Sequence, residues 1–596
     1  MHKSLLCFIL ICISLLISCK NESATSGKEE KPLVYYTGEK SNEVVVHFMA
    51  EPEGLHPVYG RTAFYSTIMR LIHNTLTRVD LESGKLAPSL AKSLPEVSED
   101  GLVYTFEVHP DAAWEDGTPI TAADVLFSYK VLICPIAPPS PQDPYLAYLK
   151  GIELDPENDR KFSFVMNRPY VINAHYGDLA FILDQRVFDP EKVLDKYELS
   201  DFLDANSDVA EQADLQAWAS EFYDEKYGRE EKLITGGAGP YELEKWYPDQ
   251  QIILKRKENY WGKNIDHPFH SQYPDKIIFR INRDLASVEL ELKQEKIDVT
   301  TSLSSTAYSN LKESESIQNN FHLMLVNRPS QGMLILNLRP DGEEHLPIFT
   351  SKAVRKAVSH VLPIDMVLET LFNNSSTRSL SPVPKSHPDF NVNLEPIPFE
   401  PNLPSKILRE DGWADTDNDQ LLDKEIDGER ISLKFAISYP ASANNDKIIE
   451  AFAEEMRKVG IGCEADGLQM PQLIQKLQSQ DFDAILLALT PFPTPYPFEQ
   501  NWHSKSMKSN GGNYAGYSNS EVDALIDSAE VAIDPQLRKR LAYKNQDNLI
   551  DELPIIPLFN PTRKGAVHQR FNNYELFETP QHIYLNNLRM VRPSEN

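Results

Sequence analysis

Hydrophobic and polar positions along the chain spell out its elements one after another. From Val103 to Val108, Tyr104, Phe106 and Val108 fall on one side and Val103, Thr105 and Glu107 on the other, the two-residue period of a strand. Asp100-Gly101 turns the chain before it, and Glu115-Asp116-Gly117-Thr118-Pro119 turns it again after Trp114, a side chain large enough to need a core. Thr121 and Asp124 then have capping-box spacing for a helix whose Ala122, Val125, Leu126 and Tyr129 share a face. Further on, Val354, Ala357, Val358, Val361 and Leu362 recur at helical spacing, and Pro363 stops that helix. The apolar stretch Phe482–Leu489 predicts a buried strand, and 333–338 (MLILNL) opens a second lobe. Ile431–Ile437 predicts another strand, Asp446–Gly460 a helix, and Ser520 with Asp523 the cap of the next.

These elements set an organisation. A strand-rich opening (Val44 to Phe48, then the Tyr104 region) is followed by an acidic helical insertion at 189–233, a strand pair at 240–256 and mixed α/β structure to about 327. Residues 379–404 hold seven prolines, which predicts an irregular crossing segment. The expected division is a first lobe over 41–327, with a strand-rich subdomain at about 61–185, a second lobe over 328–557, and a return over 558–596. No repeat of 20 to 50 residues is visible.

The order strand, Trp114-x-Asp116-Gly117 turn and Thr121-Ala122-x-Asp124-Val125 helix closely resembles family 5 of the bacterial extracellular solute-binding proteins, the ligand-capturing subunits of peptide, dipeptide and nickel ABC importers. Other landmarks of that family follow in order. They are Gly239-Pro240-Tyr241-Glu242-Leu243 with Trp246, Leu254 and Asn259-Tyr260-Trp261, then Val354 to Val358, Leu408 to Trp413, Asn513 to Asn519, and Leu553 to Phe559. The resemblance implies a periplasmic-binding-protein-like α/β fold, two mixed α/β lobes around a ligand cleft, and no catalytic residues or cofactor. Its implied partners are a peptide or other small solute and the permease subunits of an ABC importer, with the chain a monomer.

Composition adds a compartment. A chain of 596 residues is too long for one core, and 41% hydrophobic with 25% charged residues is an ordinary globular balance. A net charge of −29 argues against nucleic acid or an anionic membrane surface as partner. Lys3 precedes an apolar run from Leu5 to Ile17, too short to span a membrane and suited to a signal peptide over 1–18. Leu16-Ile17-Ser18-Cys19 looks like a lipobox, so Cys19 is expected to be the lipidated first residue of the mature chain, with 19–40 as a polar tether. The other reading is a plain secretory signal with an accidental cysteine. Either way the chain is expected at the cell envelope, on the periplasmic or extracellular face. Only Cys134 and Cys463 remain in the body, and their separation predicts two unpaired thiols.

Candidate chemistry is sparse. The chain lacks a G-x-S-x-G elbow, an H-E-x-x-H helix, a phosphate loop and a dinucleotide fingerprint, and Gly236-Gly237-Ala238-Gly239 reads as a turn. Asp415, Asp417, Asp419 and Asp423 take positions 1, 3, 5 and 9 of a calcium-loop count, but Gln420 replaces the glycine and Ile426 the terminal glutamate. A plain polar loop is expected there.

The anomaly is 484–498 (AILLALTPFPTPYPF). In peptide-binding relatives an aspartate after the buried strand holds the ligand's amino group; here no acid occurs in that stretch, and Phe492, Tyr496 and Phe498 stand in its place. A buried ammonium without a counter-charge is costly. Glu499 or Glu53 would have to supply one from elsewhere. The expected ligand-facing residues are therefore Tyr59, Leu489, Thr490, Pro491, Phe492, Tyr496, Trp502, Asn513 and Tyr514. The expected function is a lipid-anchored solute-binding protein. The rivals are a surface lipoprotein hydrolase with an unseen nucleophile, and a non-transport binding lipoprotein on the same fold.

Overall fold

The computed structural model describes residues 41–591 apart from 59, 61, 139–145, 205, 231–233, 235, 341, 343–344, 427, 491–495, 508–510 and 533. The expected signal peptide over 1–18, Cys19, Tyr59, Pro491 and Phe492 thus lie outside the described residues.

The first lobe is built on a seven-stranded sheet ordered Phe321–Asn327, Thr562–His568, Val299–Thr300, Glu43–Phe48, Lys276–Ile281, Gln251–Arg256 and Tyr241–Tyr247. Its central strand, Glu43–Phe48, lies parallel to Lys276–Ile281 with Val46 opposite Phe279, and the Val44-Val45-Val46 run is buried. A strand enclosed on both faces is expected to be continuously apolar.

The strand predicted from Tyr104 and Phe106 forms over Val103–Glu107 and belongs to a separate four-stranded sheet, Glu96–Val97, Val103–Glu107, Lys161–Met166 and Leu149–Leu154. Tyr104, Phe106, Val108, Trp114, Val125 and Tyr129 share its core. The Asp124 carboxylate accepts the Thr121 amide (2.8 Å), which holds the start of the Ala122–Ile133 helix. The acidic insertion buries Leu194, Phe202, Leu215 and Phe222 with Phe188 against Phe127 and Val131 of the Ala122–Ile133 helix.

The second lobe carries a six-stranded sheet ordered Thr377–Arg378, Ile555–Asn560, Gln331–Leu336, Ala484–Leu489, Lys434–Pro440 and Gly462–Leu468. Alternate residues of its middle strands feed two different cores. Leu334, Leu336, Ala484, Leu486, Ile556 and Leu558 face one, with Phe349, Phe435 and the helix Lys352–Val361. Met333, Ile335, Ile485, Leu487 and Ile555 face the other, with Tyr496, Trp502 and Leu549. The unbroken apolar runs in the sequence arise from this double coverage.

Local expectations differ from the structure at three places. Ile431–Ile437 divides: Glu429–Ser432 pairs with Asp423–Ile426 as a hairpin, and Lys434–Pro440 enters the main sheet. The helix expected from Asp446 begins at Ala443, because Ser442 accepts the Asn445 amide (3.2 Å). Asn519, not Ser520, caps the Ser520–Glu530 helix, while Asp523 turns to the Ser504 hydroxyl (2.6 Å).

The glycine turn at 236–239 exists because backbone meets backbone there. A Cβ on Gly237 would stand 2.0 Å from the Ile72 carbonyl oxygen, at the end of the Ala63–Ile72 helix. Gly237→Ala should therefore cost about 3 kcal/mol of stability, the upper range for overpacking. A denaturation midpoint equal to wild type would refute that close approach.

Candidate functional site

The two sheets are joined at two adjacent passages. Phe321–Asn327 pairs antiparallel with Thr562–His568 in the first, and Gln331–Leu336 with Ile555–Asn560 in the second. Only residues 328–330 and Pro561 lie between. The Arg328 amide donates to the Pro561 carbonyl (2.7 Å), so the passages are tied to each other at the crossing itself.

A cavity of about 530 Å³ lies beside them. First-lobe residues such as Tyr65, Arg70, Asp178 and Phe181 form most of its wall, and Arg328, Ser330 and Thr490 close it. Ser330 and Thr490 share a hydroxyl hydrogen bond (2.8 Å). Asp178, the one carboxylate among the described residues of that lining, is held by Arg70 (2.8 Å) and by the Thr75 hydroxyl (3.1 Å). A smaller cavity of about 250 Å³ adjoins, with Phe48, Phe64, Leu71 and Ile583 on one side and Arg328 and Arg563 again in its wall.

The sequence-predicted residues separate into groups. Thr490 faces the larger cavity. Leu489, Tyr496, Trp502 and Tyr514, with Thr490 once more, border a different recess of about 220 Å³ inside the second lobe. Tyr496 and Trp502 are buried and bonded to each other, indole N–H to phenol oxygen (3.2 Å). Asn513 is fully enclosed and its amide is spent on backbone. It donates to the carbonyls of His503 (3.1 Å) and Tyr517 (2.8 Å) and accepts the Tyr517 amide (3.0 Å), so it shapes the loop.

The substitute acids are also committed. Glu53 accepts the Thr62 hydroxyl (3.2 Å). Glu499 pairs with Arg168 (3.1 Å) and Lys505 (3.1 Å) and accepts the Tyr148 hydroxyl (3.3 Å). Asp389, which the local pattern did not single out, accepts the Tyr496 amide (3.2 Å) and is almost wholly buried.

In the acidic loop, the carboxylates of Asp415, Asp417 and Asp419 lie within 4.8 Å of one another and are exposed. Asp423 points away into a bond with Arg430 (2.6 Å) and the Thr416 amide (2.9 Å), and the Arg430 bond holds its pKa down to about 2. Arg430 also contacts Asp417. A resident guanidinium thus already pairs with two of the four acids. Cys134 and Cys463 are both free thiols.

Glu499 reaches from the second lobe to the first. Its partner Arg168 stacks over the Tyr148 ring (4.1 Å) and the Tyr170 ring (5.0 Å), forming a clasp. Behind it, Glu530 accepts the Glu499 amide (3.1 Å), and its other oxygen is buried without a partner. Burial, then the Glu499 charge, pushes the Glu530 pKa up to about 8. The folded state therefore keeps a proton that the unfolded chain releases above its ordinary value of 4.5. Stability contributed by this proton is present below that value and lost as pH rises toward about 8. Glu530→Gln should flatten that slope, by at most about 1.4 kcal/mol per pH unit. Urea midpoints of both proteins at pH 5 and pH 8 test this; parallel losses in the two would contradict it.

The family model described as "Bacterial extracellular solute-binding proteins, family 5 Middle" matches residues 85–510. The chain is 22% identical over 575 residues to the oligopeptide-binding protein AppA of Bacillus subtilis, covering 95% of each. The solved structure of AppA with a nonapeptide superposes with a TM-score of 0.69 at 19% identity, covering 92% of this chain and 99% of that one. The ABC transporter substrate-binding protein CtaP of Listeria monocytogenes superposes with a TM-score of 0.73 at 17% identity, covering 93% and 100%. Two mixed α/β lobes, the cavity at their paired crossings and a family match over most of the length agree: the chain belongs to the bacterial extracellular solute-binding proteins, family 5.

Proposed function

We propose that this protein captures a peptide or peptide-like solute between its lobes and presents it to the permease of an ABC importer, held at the membrane by a lipid on Cys19. The observation that carries the reading is the cavity at the two passages, where a solute touches both lobes and the connection between them at once. A solute with contacts to both lobes binds the closed arrangement better than an open one, and so shifts the population toward it. The family consists of binding proteins, so the work is capture and release rather than bond making.

The anchor rests on the sequence Leu16-Ile17-Ser18-Cys19 after the apolar run. No helix among the described residues is long and apolar enough to cross a membrane. A diacylglycerol on Cys19 followed by the polar 20–31 stretch leaves the lobes free to meet a permease. Cys19→Ala should move the protein from the membrane fraction to the soluble fraction, or leave its signal uncleaved; unchanged fractionation would refute the anchor.

Ligand chemistry follows from the missing acid. With no carboxylate in 484–498, with Glu499 paired to Arg168 and Lys505 and with buried Asp389 beside Arg538 (3.9 Å), a compact ammonium at Tyr496 competes with resident cations for its counter-charge. N-acetylated pentapeptides should therefore raise the melting temperature as much as their free-amine counterparts. Stabilisation by free amines alone would show an amine anchor that the structure does not suggest.

A further inference from the structure

The two arginines at the passages come together by strand register. Val326 stands opposite Arg563 in the antiparallel pair, and side chains two residues apart share a face, so Arg328 emerges beside Arg563. Both line the 530 Å³ and the 250 Å³ cavities, at the boundary between them. Arg328 is exposed to that space and Arg563 is half-buried.

No carboxylate pairs with either guanidinium among the described residues, where Arg563 donates instead to the Thr579 carbonyl (3.4 Å). Among the described residues that line the two cavities there is a single acid, Asp178, which Arg70 already holds. His582, beside them, is kept neutral by burial and by Arg563. Lys564 adds a third cation within electrostatic reach of Arg328. Burial, and then Arg328, pushes the Arg563 pKa down to about 9, the mark of a cation short of counter-charge. In a chain with 88 acidic and 59 basic residues, partners for two arginines are abundant everywhere else.

We propose that Arg328 and Arg563 form an oxyanion-binding subsite that takes a carboxylate or phosphate of the captured solute. The inference rests on the capture reading above. Guanidinium forks match the planar or tetrahedral oxygens of these groups, and two side by side favour a bidentate, doubly charged clamp. The apolar wall of Phe48, Phe64 and Ile583 beyond them suits a hydrophobic substituent next to the anion, as at a peptide's C-terminal residue. Because the arginines stand on separate passages, one bound anion touches both connections between the lobes.

The test is calorimetry at constant ionic strength with N-acetyl-Ala-Ala-Ala-Ala-Leu, its C-terminal amide, and inorganic phosphate. The free carboxylate should bind wild type at least tenfold more tightly than the amide. Arg328→Gln and Arg563→Gln should each bring the free acid's affinity down to that of the amide, while both variants still unfold cooperatively with a urea midpoint close to wild type, which a misfolded variant could not do. Phosphate displacing the free-acid peptide from wild type places both oxyanions in one subsite, and a phosphate preferred over the peptide identifies a phosphorylated solute as the source. Equal binding of both peptides, or variants that keep the preference, overturns the subsite and leaves peptide capture standing. If neither peptide binds but phosphate raises the melting temperature of wild type and not of Arg563→Gln, the subsite stands and peptide capture falls. No response to any of the three overturns both.

Discussion

The structure depends on one constraint, the lateral pairing of the two passages between the lobes. Phe321–Asn327 and Gln331–Leu336 leave the first passage almost no free length, and Thr562–His568 follows Ile555–Asn560 with Pro561 alone between them. Each strand is fixed in its own sheet by antiparallel partners, and the Arg328 amide ties one passage to the Pro561 carbonyl of the other. Relative motion of the lobes must then be absorbed by a handful of backbone torsions, the ordinary anatomy of a hinge. The cavity sits against that crossing, so any rotation of the lobes about it would change the cavity's width.

Charge is distributed in a way that fits this geometry. The protein as a whole is strongly acidic, yet the cavity beside the passages is lined by arginines. Across the lobes, the Glu499 carboxylate meets Arg168 over two tyrosine rings. This ion pair is partly exposed, so its own contribution is modest and salt-sensitive. A clasp of this modest strength would add little to the closed form, so on the capture reading the solute's own contacts decide between open and closed.

Much of the scaffold was legible in the sequence because its signals are local. The Val354, Ala357, Val358, Val361 spacing became a helix with that face buried, and the Tyr104/Phe106 alternation became a strand with those side chains inside. Caps were less legible, since Asn519 and Ser520 are both good cap residues and only the Ser504–Asp523 bond decides between them. The Ile431–Ile437 run concealed a break because a hairpin and a core strand carry the same β-branched signal. The site was hardest. Tyr496 and Trp502 were identified as large aromatics, but which way they turn depends on Leu487 and Leu549 packing with them. Arg328 and Arg563 lie 235 positions apart, and no local pattern joins them until the strands pair.

Small-angle scattering measures the central claim most directly, because the hinge and the cavity predict a single coupled motion. On adding N-acetylated pentapeptides to saturation, established by calorimetry in the same buffer, the radius of gyration should fall to a new plateau at the stoichiometric point. Saturating binding with no change in the scattering curve would contradict an account in which the solute is held between moving lobes.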